Sequence, residues 1–445
     1  MELVQRSCPC GDLQGQILKG CEHYMGIPFA KAERWEDPVE VTSWEGMLDA
    51  TEKGDCCYQP GTFGEPANPV RAFYGSETNI KQTFTYSEDC LNLNIRTPSD
   101  AKNAPVLVYI HGGGYLTGRG SAWAFDGSNY CKKGIVTVTI QYRVNIFANA
   151  FGDGHTGNYN LKDQVCALRW IKNNIAAFGG DPENVTIMGE SAGAMSVQNL
   201  IYTPYAKGLF KGAIMLSGGG IFTFAYGIQD TVNVTDFWIK IKERFGAKTI
   251  DELKSLTPKE LSYAWRDTCA LAPRFANTAR PVVDGDWIPA MPEKLVEDGN
   301  INKVPTIISF LSEDMWPLSL YKMAVQWSQL APNPVYGMFF DRRIPGTDLP
   351  AFHALDVRYV FGTFDVFKYQ FEETDYRISQ NIIDYFTNFA RTGNPNGEGL
   401  PTWEVMKGEV PQFMHFGDDP CAMYTVPTEP LEAFQKLGKP FPGMK

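Results

Sequence analysis

The chain has 445 residues and a net charge of −11, with 44% hydrophobic and 20% charged residues, a composition typical of globular proteins in solution. The acidic balance argues against a nucleic-acid partner, because nucleic-acid binding needs clustered Lys and Arg. No apolar run approaches the length of a membrane span.

The N-terminal segment and the cysteines bear on where the protein works. Residues 1–11 lack the charged-then-apolar pattern of a secretory signal, so we expect a cytoplasmic protein. Ten cysteines in a chain of this length do not form a dense disulfide framework, and in a reducing compartment we expect free thiols. Cys8 and Cys10 could bind a metal, but no His or Cys cluster follows them at finger spacing.

Short apolar runs predict the strands of a central sheet. They are apolar on both faces, as in a parallel sheet that helices cover on both sides. The runs are Val106–Ile110, Ile135–Ile140, Val185–Met188, Ala213–Leu216, Pro305–Phe310 and Val335–Phe340.

Helical patterns alternate with these runs. Asp163–Phe178 and Ser379–Arg391 each place apolar residues on one face and end at glycine, and Thr257–Glu260 is typical of a capping box. The alternation predicts one doubly wound α/β unit. We therefore predict a single domain over residues 1–445, in which a helical insertion at roughly 230–275 covers one end of the sheet.

The motif Gly189-Glu190-Ser191-Ala192-Gly193 points to chemistry. It follows the predicted strand Val185–Met188 and opens a predicted helix, Ala192–Ile201, which is the context of a nucleophile elbow. A sharp turn at the serine leaves no room for a side chain two residues before it or two residues after it, and glycine occupies both of these positions. A plain β-turn of small residues is the competing interpretation.

The glycine run His111-Gly112-Gly113-Gly114-Tyr115 follows another predicted strand. Backbone N–H groups of such a loop, with that of Ala192, can stabilise the oxyanion of an acyl-transfer reaction. A glycine run after a strand can also hold a phosphate, but the Lys-Ser/Thr of a P-loop is missing here.

A nucleophilic serine needs a base and an acid, which follow it in the chain order of this motif. Only His353 and His415 follow Ser191. His415 lies in an alternating, strand-like run, whereas His353 lies in a loop, so we predict His353 as the base. The acid is expected after the strand Pro305–Phe310, where two adjacent carboxylates, Glu313 and Asp314, compete for the role.

Longer motifs resemble the type-B carboxylesterase and cholinesterase-like family. One of them, Ala351–Gly362, is most similar to bacterial p-nitrobenzyl esterases. The resemblance runs from about residue 10 to residue 416. It rests on Glu88–Asn94, on the stretch from Gly157 through Phe178–Pro182 to Ser191, on Pro281–Gly285, on Phe389–Gly397 and on Ala351–Gly362.

The resemblance implies an α/β-hydrolase fold and a set of site residues. The family acid is usually Glu in a segment ending Asp-Glu-Gly; here the matching stretch is Glu313-Asp314-Met315, so the acid falls on Asp314 and Glu313 stays open. The implied residues are Ser191 as nucleophile, His353 as base, Asp314 as acid, and Gly113, Gly114 and Ala192 as oxyanion donors.

Other matched positions are implied to be structural. The resemblance pairs Arg34 with Glu88 and Arg143 with Asp163 as salt bridges. It also aligns Cys57 and Cys90 with cysteines that are disulfide-bonded in secreted relatives, although in a cytoplasmic protein we expect both to stay reduced.

One family feature is missing from the sequence. In cholinesterases a tryptophan between the two positions matched by Cys57 and Cys90 binds choline. Here that segment has no tryptophan. Its aromatic residues include Phe63, Phe73, Tyr74, Phe84 and Tyr86, and the missing tryptophan argues against a site for quaternary ammonium.

We therefore predict a serine esterase that hydrolyses small carboxylic esters through an acyl-enzyme, without cofactor or metal, as a monomer or weak homodimer. A lipase or an amide or carbamate hydrolase on the same triad is the alternative, followed by a non-catalytic binding protein. The segment 315–352 is short for the family and has room for one helix, Tyr321–Gln329, and one strand. We therefore expect Ser191 to lie in a shallow, open cleft.

Overall fold

In the part of the chain that the structure describes, 13 strands form a central sheet. The computed structural model describes residues 2–59, 78, 82–220, 229–272, 275 and 277–438. In chain order the strands are β1 (Glu2–Cys8), β2 (Gly11–Leu18), β3 (Cys21–Pro28), β4 (Met47–Asp49), β5 (Asn92–Thr97), β6 (Ala104–Ile110), β7 (Val136–Ile140), β8 (Gly180–Glu190), β9 (Gly212–Leu216), β10 (Thr306–Leu311), β11 (Val335–Phe340), β12 (Phe413–Phe416) and β13 (Ala422–Tyr424).

The middle of this sheet is parallel and its two ends are antiparallel. The spatial order is β1-β2-β3-β5-β7-β6-β8-β9-β10-β11-β12-β13, with β4 paired to β2. Strands β7 through β12 run parallel, whereas β1, β2, β3 and β5 pair antiparallel at one end and β13 at the other. The predicted mostly parallel sheet is confirmed, and every predicted strand lies in it.

Shorter strands pair outside the central sheet. Ala30–Lys31 pairs with Val39–Glu40, Cys56–Cys57 with Tyr86–Ser87, Phe151–Gly152 with His155–Thr156, and Gln229–Asp230 with Val282–Val283.

Helices cover both faces of the sheet. Alternate residues of one strand belong to opposite layers: Val106 and Val108 of β6 pack in one core, and Leu107 and Tyr109 in the other. The helices are α1 (Ser128–Cys131), α2 (Tyr159–Asn174), α3 (Ala192–Tyr202), α4 (Thr231–Phe245), α5 (Pro258–Leu271), α6 (Pro292–Glu297), α7 (Pro317–Leu330), α8 (Val357–Phe361), α9 (Glu373–Thr392) and α10 (Thr428–Leu437).

Two predicted helices begin earlier than the sequence indicated. Helix α2 begins at Tyr159 because Asn158 precedes it in the left-handed region, with a φ of 53°, and its end continues as a 3-10 turn over Ile175–Phe178. Helix α9 begins at Glu373 because Glu372 caps it together with Asp375. Glutamate is not among the usual N-cap residues, so the sequence pattern did not reveal that start.

The described residues between 230 and 275 form the α-helices α4 and α5, with the predicted capping box at Thr257. Their apolar faces pack in a third cluster, in which Phe237, Trp238 and Leu261 contact the segment around Trp35 and Phe147. Within the described residues, no helix is long and apolar enough to cross a membrane.

The expectation of free thiols is wrong for four cysteines. Cys57 is bonded to Cys90 and Cys21 to Cys131, with Cα–Cα distances of 4.8 Å and 6.6 Å. The Cys21–Cys131 bond joins β3 to α1 across 110 residues. No sequence motif predicts this bond, because only the folded sheet brings the two segments together.

Candidate active site

Ser191 lies on a strained turn between β8 and α3. Its φ of 55° and ψ of −121° are outside the regions that L-residues usually occupy. A Cβ on Gly189 would lie 2.3 Å from the backbone of Gly193, and a Cβ on Gly193 would lie 2.0 Å from the carbonyl oxygen of Ile110. Both glycines are therefore required by the turn, and the serine side chain stays partly exposed above the sheet.

His353 contacts both other members of the predicted triad. Its Nε2 is 2.9 Å from Ser191 Oγ, and its Nδ1 is 2.7 Å from Asp314 Oδ1. Asp314 is fully buried and accepts backbone N–H bonds from Leu311 and Met315, at 3.3 Å and 2.7 Å. These bonds fix the carboxylate, which in turn orients the imidazole with Nε2 toward the serine hydroxyl.

The neighbouring carboxylate has other partners. Glu313 binds the guanidinium of Arg343 and accepts a 2.8 Å hydrogen bond from the backbone N–H of Ala351. Of the two acids that the sequence left open, Asp314 is therefore the one in contact with His353.

The glycine loop of residues 111–118, called here the oxyanion loop, lies against the serine. A Cβ on Gly112 would be 3.1 Å from the Cβ of Ser191. Gly113 and Gly114 have φ values of 111° and 68°, and their N–H groups donate to no acceptor in the described part of the chain. Ala192 begins α3, where the N–H groups of the first turn have no acceptor inside the helix.

Two further buried carboxylates surround His353. Glu190 Oε1 is 3.2 Å from His353 Nε2, and burial raises the pKa of Glu190 to about 8. Asp356 is fully buried, and burial together with the charge of Asp314 raises its pKa to about 7. Burial lowers the pKa of His353, but the charges of Asp314 and Glu190 outweigh it and raise that pKa to about 9.

Sequence reasoning did not assign a role to either carboxylate. Glu190 occupies the variable second position of the Gly-x-Ser-x-Gly motif, and Asp356 follows His353 by three residues on the same loop. The only signal in the sequence was an acidic residue directly before Ser191. Without the fold, nothing in the sequence shows that its side chain turns toward the base.

Other predicted positions lie away from the serine. His415 Nε2 is 2.7 Å from Asp341 Oδ1, and its ring stacks on Phe339 at the end of the sheet. The predicted salt bridges are present: Arg34 Nε is 2.7 Å from Glu88, and the buried Arg143–Asp163 pair is joined at 2.8 Å. Phe63, Phe73 and Tyr74 lie outside the described residues.

Comparison with known sequences places these features in context. The profile described as "Carboxylesterase family" matches residues 2–326 and 309–434. The para-nitrobenzyl esterase of Bacillus subtilis (strain 168) is 30% identical over 468 residues, which cover 90% of this chain and 92% of that protein. The human cocaine esterase is 29% identical over 505 residues, covering 94% of this chain and 87% of that protein.

Solved structures have the same fold. A thermophilic p-nitrobenzyl esterase superimposes with a TM-score of 0.83 at 26% identity, covering 97% of this chain and 99% of that chain. A carboxylesterase of Geobacillus stearothermophilus superimposes with a TM-score of 0.79 at 28% identity and the same coverage.

Proposed function

The chain belongs to the carboxylesterase family, and from this premise we propose that Ser191, His353 and Asp314 are the catalytic triad with which it hydrolyses esters. The protein is an α/β-hydrolase and a carboxylic ester hydrolase. The observation that carries the triad is the continuous pair of contacts from Ser191 Oγ through the imidazole to Asp314, at 2.9 Å and 2.7 Å.

In the first half of the reaction, His353 Nε2 accepts the hydroxyl proton as Ser191 Oγ attacks the ester carbonyl carbon. The backbone N–H groups of Gly113, Gly114 and Ala192 hold the oxyanion that forms. His353 then donates the proton to the departing alcohol, and the acyl group stays on the serine.

In the second half, water replaces the alcohol. His353 accepts a proton from the water as it attacks the acyl carbonyl, and the same N–H groups hold the second oxyanion. Asp314 stabilises the imidazolium in both halves. When this second intermediate collapses, the bond between Ser191 Oγ and the acyl carbon breaks and His353 returns the proton to Ser191 Oγ. The reaction therefore ends with the free acid and free Ser191, and these steps need no cofactor or metal.

A direct comparison of two proteins tests this proposal. Wild-type protein is expected to hydrolyse p-nitrophenyl acetate with burst kinetics, and Ser191→Ala to lose at least about a thousandfold in kcat because only residual oxyanion and binding effects remain. The circular dichroism spectrum of the variant serves as the folding control. Turnover of the variant near the wild-type level contradicts the assignment of the nucleophile.

We also propose one catalytic domain whose cleft is shallow and open at Ser191. In support, the segment 315–352 contains α7 (Pro317–Leu330) and β11 (Val335–Phe340) with loops only, and Gly113 at the reaction centre is exposed. The alignment with the Bacillus esterase spans 468 positions, more than the 445 residues of this chain, so segments of that relative are missing here. The competing arrangement has the insertion at 230–275 closing over the gap.

Fewer wall contacts give less binding energy to small substrates and more tolerance of bulky ones. We therefore expect kcat/KM for p-nitrophenyl esters with aryl or branched acyl groups to equal or exceed that for p-nitrophenyl acetate. A steep fall from acetate to benzoate contradicts an open cleft. Parallel assays with p-nitroanilides and an emulsified triglyceride separate an esterase from an amidase and a lipase.

Its location and assembly are a further proposal: a cytoplasmic protein that is a monomer or weak homodimer. The two disulfides weigh against the location, because disulfides persist mainly in oxidising compartments. Cell fractionation decides the location: recovery with a cytosolic marker supports the cytoplasm, and recovery in a secreted or membrane-enclosed fraction contradicts it. Light scattering on purified protein tests the assembly, and a mass above that of a dimer contradicts it.

A further inference from the structure

Two cationic side chains share one aromatic ring near the oxyanion loop. Lys53 Nζ lies 5.0 Å from the ring centre of Phe84 and 4.8 Å from that of Trp123. Arg119 Cζ lies 4.1 Å from the same Phe84 ring and 5.9 Å from Tyr86. The aromatic rings thus hold two positive charges close together, and these five residues are called here the cationic cluster.

Among the residues that the structure describes, the lysine of this cluster has no carboxylate counter-ion. Lys53 is half-buried, and it makes no ion pair with any carboxylate within the ranges 2–59, 82–220, 229–272 and 277–438. Lys162, by contrast, has a side chain that is 2% exposed and pairs with Asp37 at 2.6 Å. Placing a cation away from water without a partner is costly, and burial lowers the pKa of Lys53 accordingly. Such a position is typical of a site where a ligand supplies the anion.

The cluster is joined to the catalytic loop by the backbone. Arg119 follows Gly118, and a Cβ on Gly118 would lie 2.2 Å from His111 Nδ1, so the end of the oxyanion loop packs on its beginning. Gln59 binds both backbone groups of Gly118, at 2.8 Å and 3.0 Å. Burial lowers the pKa of His111 to about 4, and the positive charge of Arg119 contributes to this. The positive charge of Arg119 therefore acts on His111, at the start of the oxyanion loop.

We propose that Lys53 and Arg119 form an anion-binding subsite of this esterase, which selects ester substrates that carry a carboxylate. The ammonium and guanidinium groups attract the carboxylate, and the rings of Phe84, Tyr86 and Trp123 offer apolar surface to the flat or aliphatic part of the same substrate. The inference rests on the proposed esterase function and names its substrate class.

Two pairs of esters, each matched in carbon skeleton and differing in the charge of one group, test the subsite. The charge is placed on the alcohol side in para-acetoxybenzoate, with para-acetoxybenzamide as its neutral partner. It is placed on the acyl side in mono-p-nitrophenyl adipate, with p-nitrophenyl hexanoate as its neutral partner. The readout is the ratio of kcat/KM for the anionic to the neutral ester, which cancels any general loss of activity.

Three variants are compared with the wild type. Lys53→Met keeps the apolar stem and removes the charge, and should lower the ratio for one substrate pair roughly three- to tenfold, as expected for one charge about 4 Å away at a dielectric constant close to that of water. Lys53→Arg keeps the charge and should keep the ratio within about twofold. Lys102→Met is the control, since this exposed lysine precedes β6 at the opposite end of the strand from the oxyanion loop.

The outcomes separate the two claims. A ratio that falls in Lys53→Met, persists in Lys53→Arg and Lys102→Met, and decreases in the wild type as salt rises supports the subsite. A ratio unchanged in Lys53→Met for both substrate pairs, while the neutral esters are hydrolysed, overturns the subsite and leaves the esterase intact. Failure of the wild type to hydrolyse any of the four esters overturns the proposed triad instead.

Discussion

Asp314, the acid of the proposed triad, gives the most specific mutational prediction. Asp314 Oδ1 is 2.7 Å from His353 Nδ1, and both side chains are buried. At an effective dielectric constant of about 20, a full charge at this distance stabilises the imidazolium by about 6 kcal/mol. Asp314→Asn keeps the shape but loses this charge and favours the wrong imidazole tautomer, so we expect kcat to fall about a thousand- to ten-thousandfold.

The assay is single-substrate hydrolysis of p-nitrophenyl butyrate, with thermal unfolding as the check on folding. Glu313→Gln is the matched control: it removes the adjacent carboxylate, whose partners are Arg343 and the N–H of Ala351. It should cost less than about tenfold, because it loosens only the loop that carries the base. If Glu313→Gln is the more damaging change, or Asp314→Asn keeps a tenth of the wild-type kcat, the reasoning is refuted.

Three further predictions concern the base, a disulfide and the elbow. Glu190→Gln removes a negative charge 3.2 Å from His353, and this loss should lower the pKa of the imidazole. Because the base must be neutral to act, the acid limb of the pH profile of kcat/KM should move to lower pH by roughly one unit. A move to higher pH contradicts this prediction. Cys131→Ser opens a disulfide with a sequence separation of 110 and should lower the free energy of unfolding by about 4 kcal/mol in urea titration, whereas an unchanged midpoint argues that the bond is absent in solution. Gly193→Ala places a Cβ 2.0 Å from a carbonyl oxygen and should destabilise the folded protein by about 2 kcal/mol or more. Gly208→Ala is the control: its Cβ meets nothing within 4 Å, and its positive φ should cost about 1 kcal/mol. Equal shifts of the melting temperature in the two variants refute the steric argument.

The nucleophile elbow was predictable because its causes are local. The strand β8, the turn and the helix α3 follow one another in sequence, and the two glycines are required by contacts within that turn and with Ile110. The parallel sheet was predictable for a related reason. Strands buried on both faces need continuous apolar runs, and each such run corresponds to an observed strand.

Features that depend on distant segments were not predictable. The choice between Glu313 and Asp314 depends on which carboxylate points to a loop 39 residues away. The disulfide of Cys21 forms only because the sheet places β3 beside α1. Glu190 contacts the base because the elbow turns its side chain inward, which the residue type alone does not reveal.

Covalent capture of the nucleophile tests the central claim most directly. A fluorophosphonate probe is incubated with the wild type and with Ser191→Ala, and the labelled peptide is mapped by mass spectrometry. The account predicts one adduct, on Ser191, that forms with the same pH dependence as ester hydrolysis and is absent from the variant. An adduct on another serine that abolishes activity, or full esterase activity in protein whose Ser191 is quantitatively labelled, would contradict it.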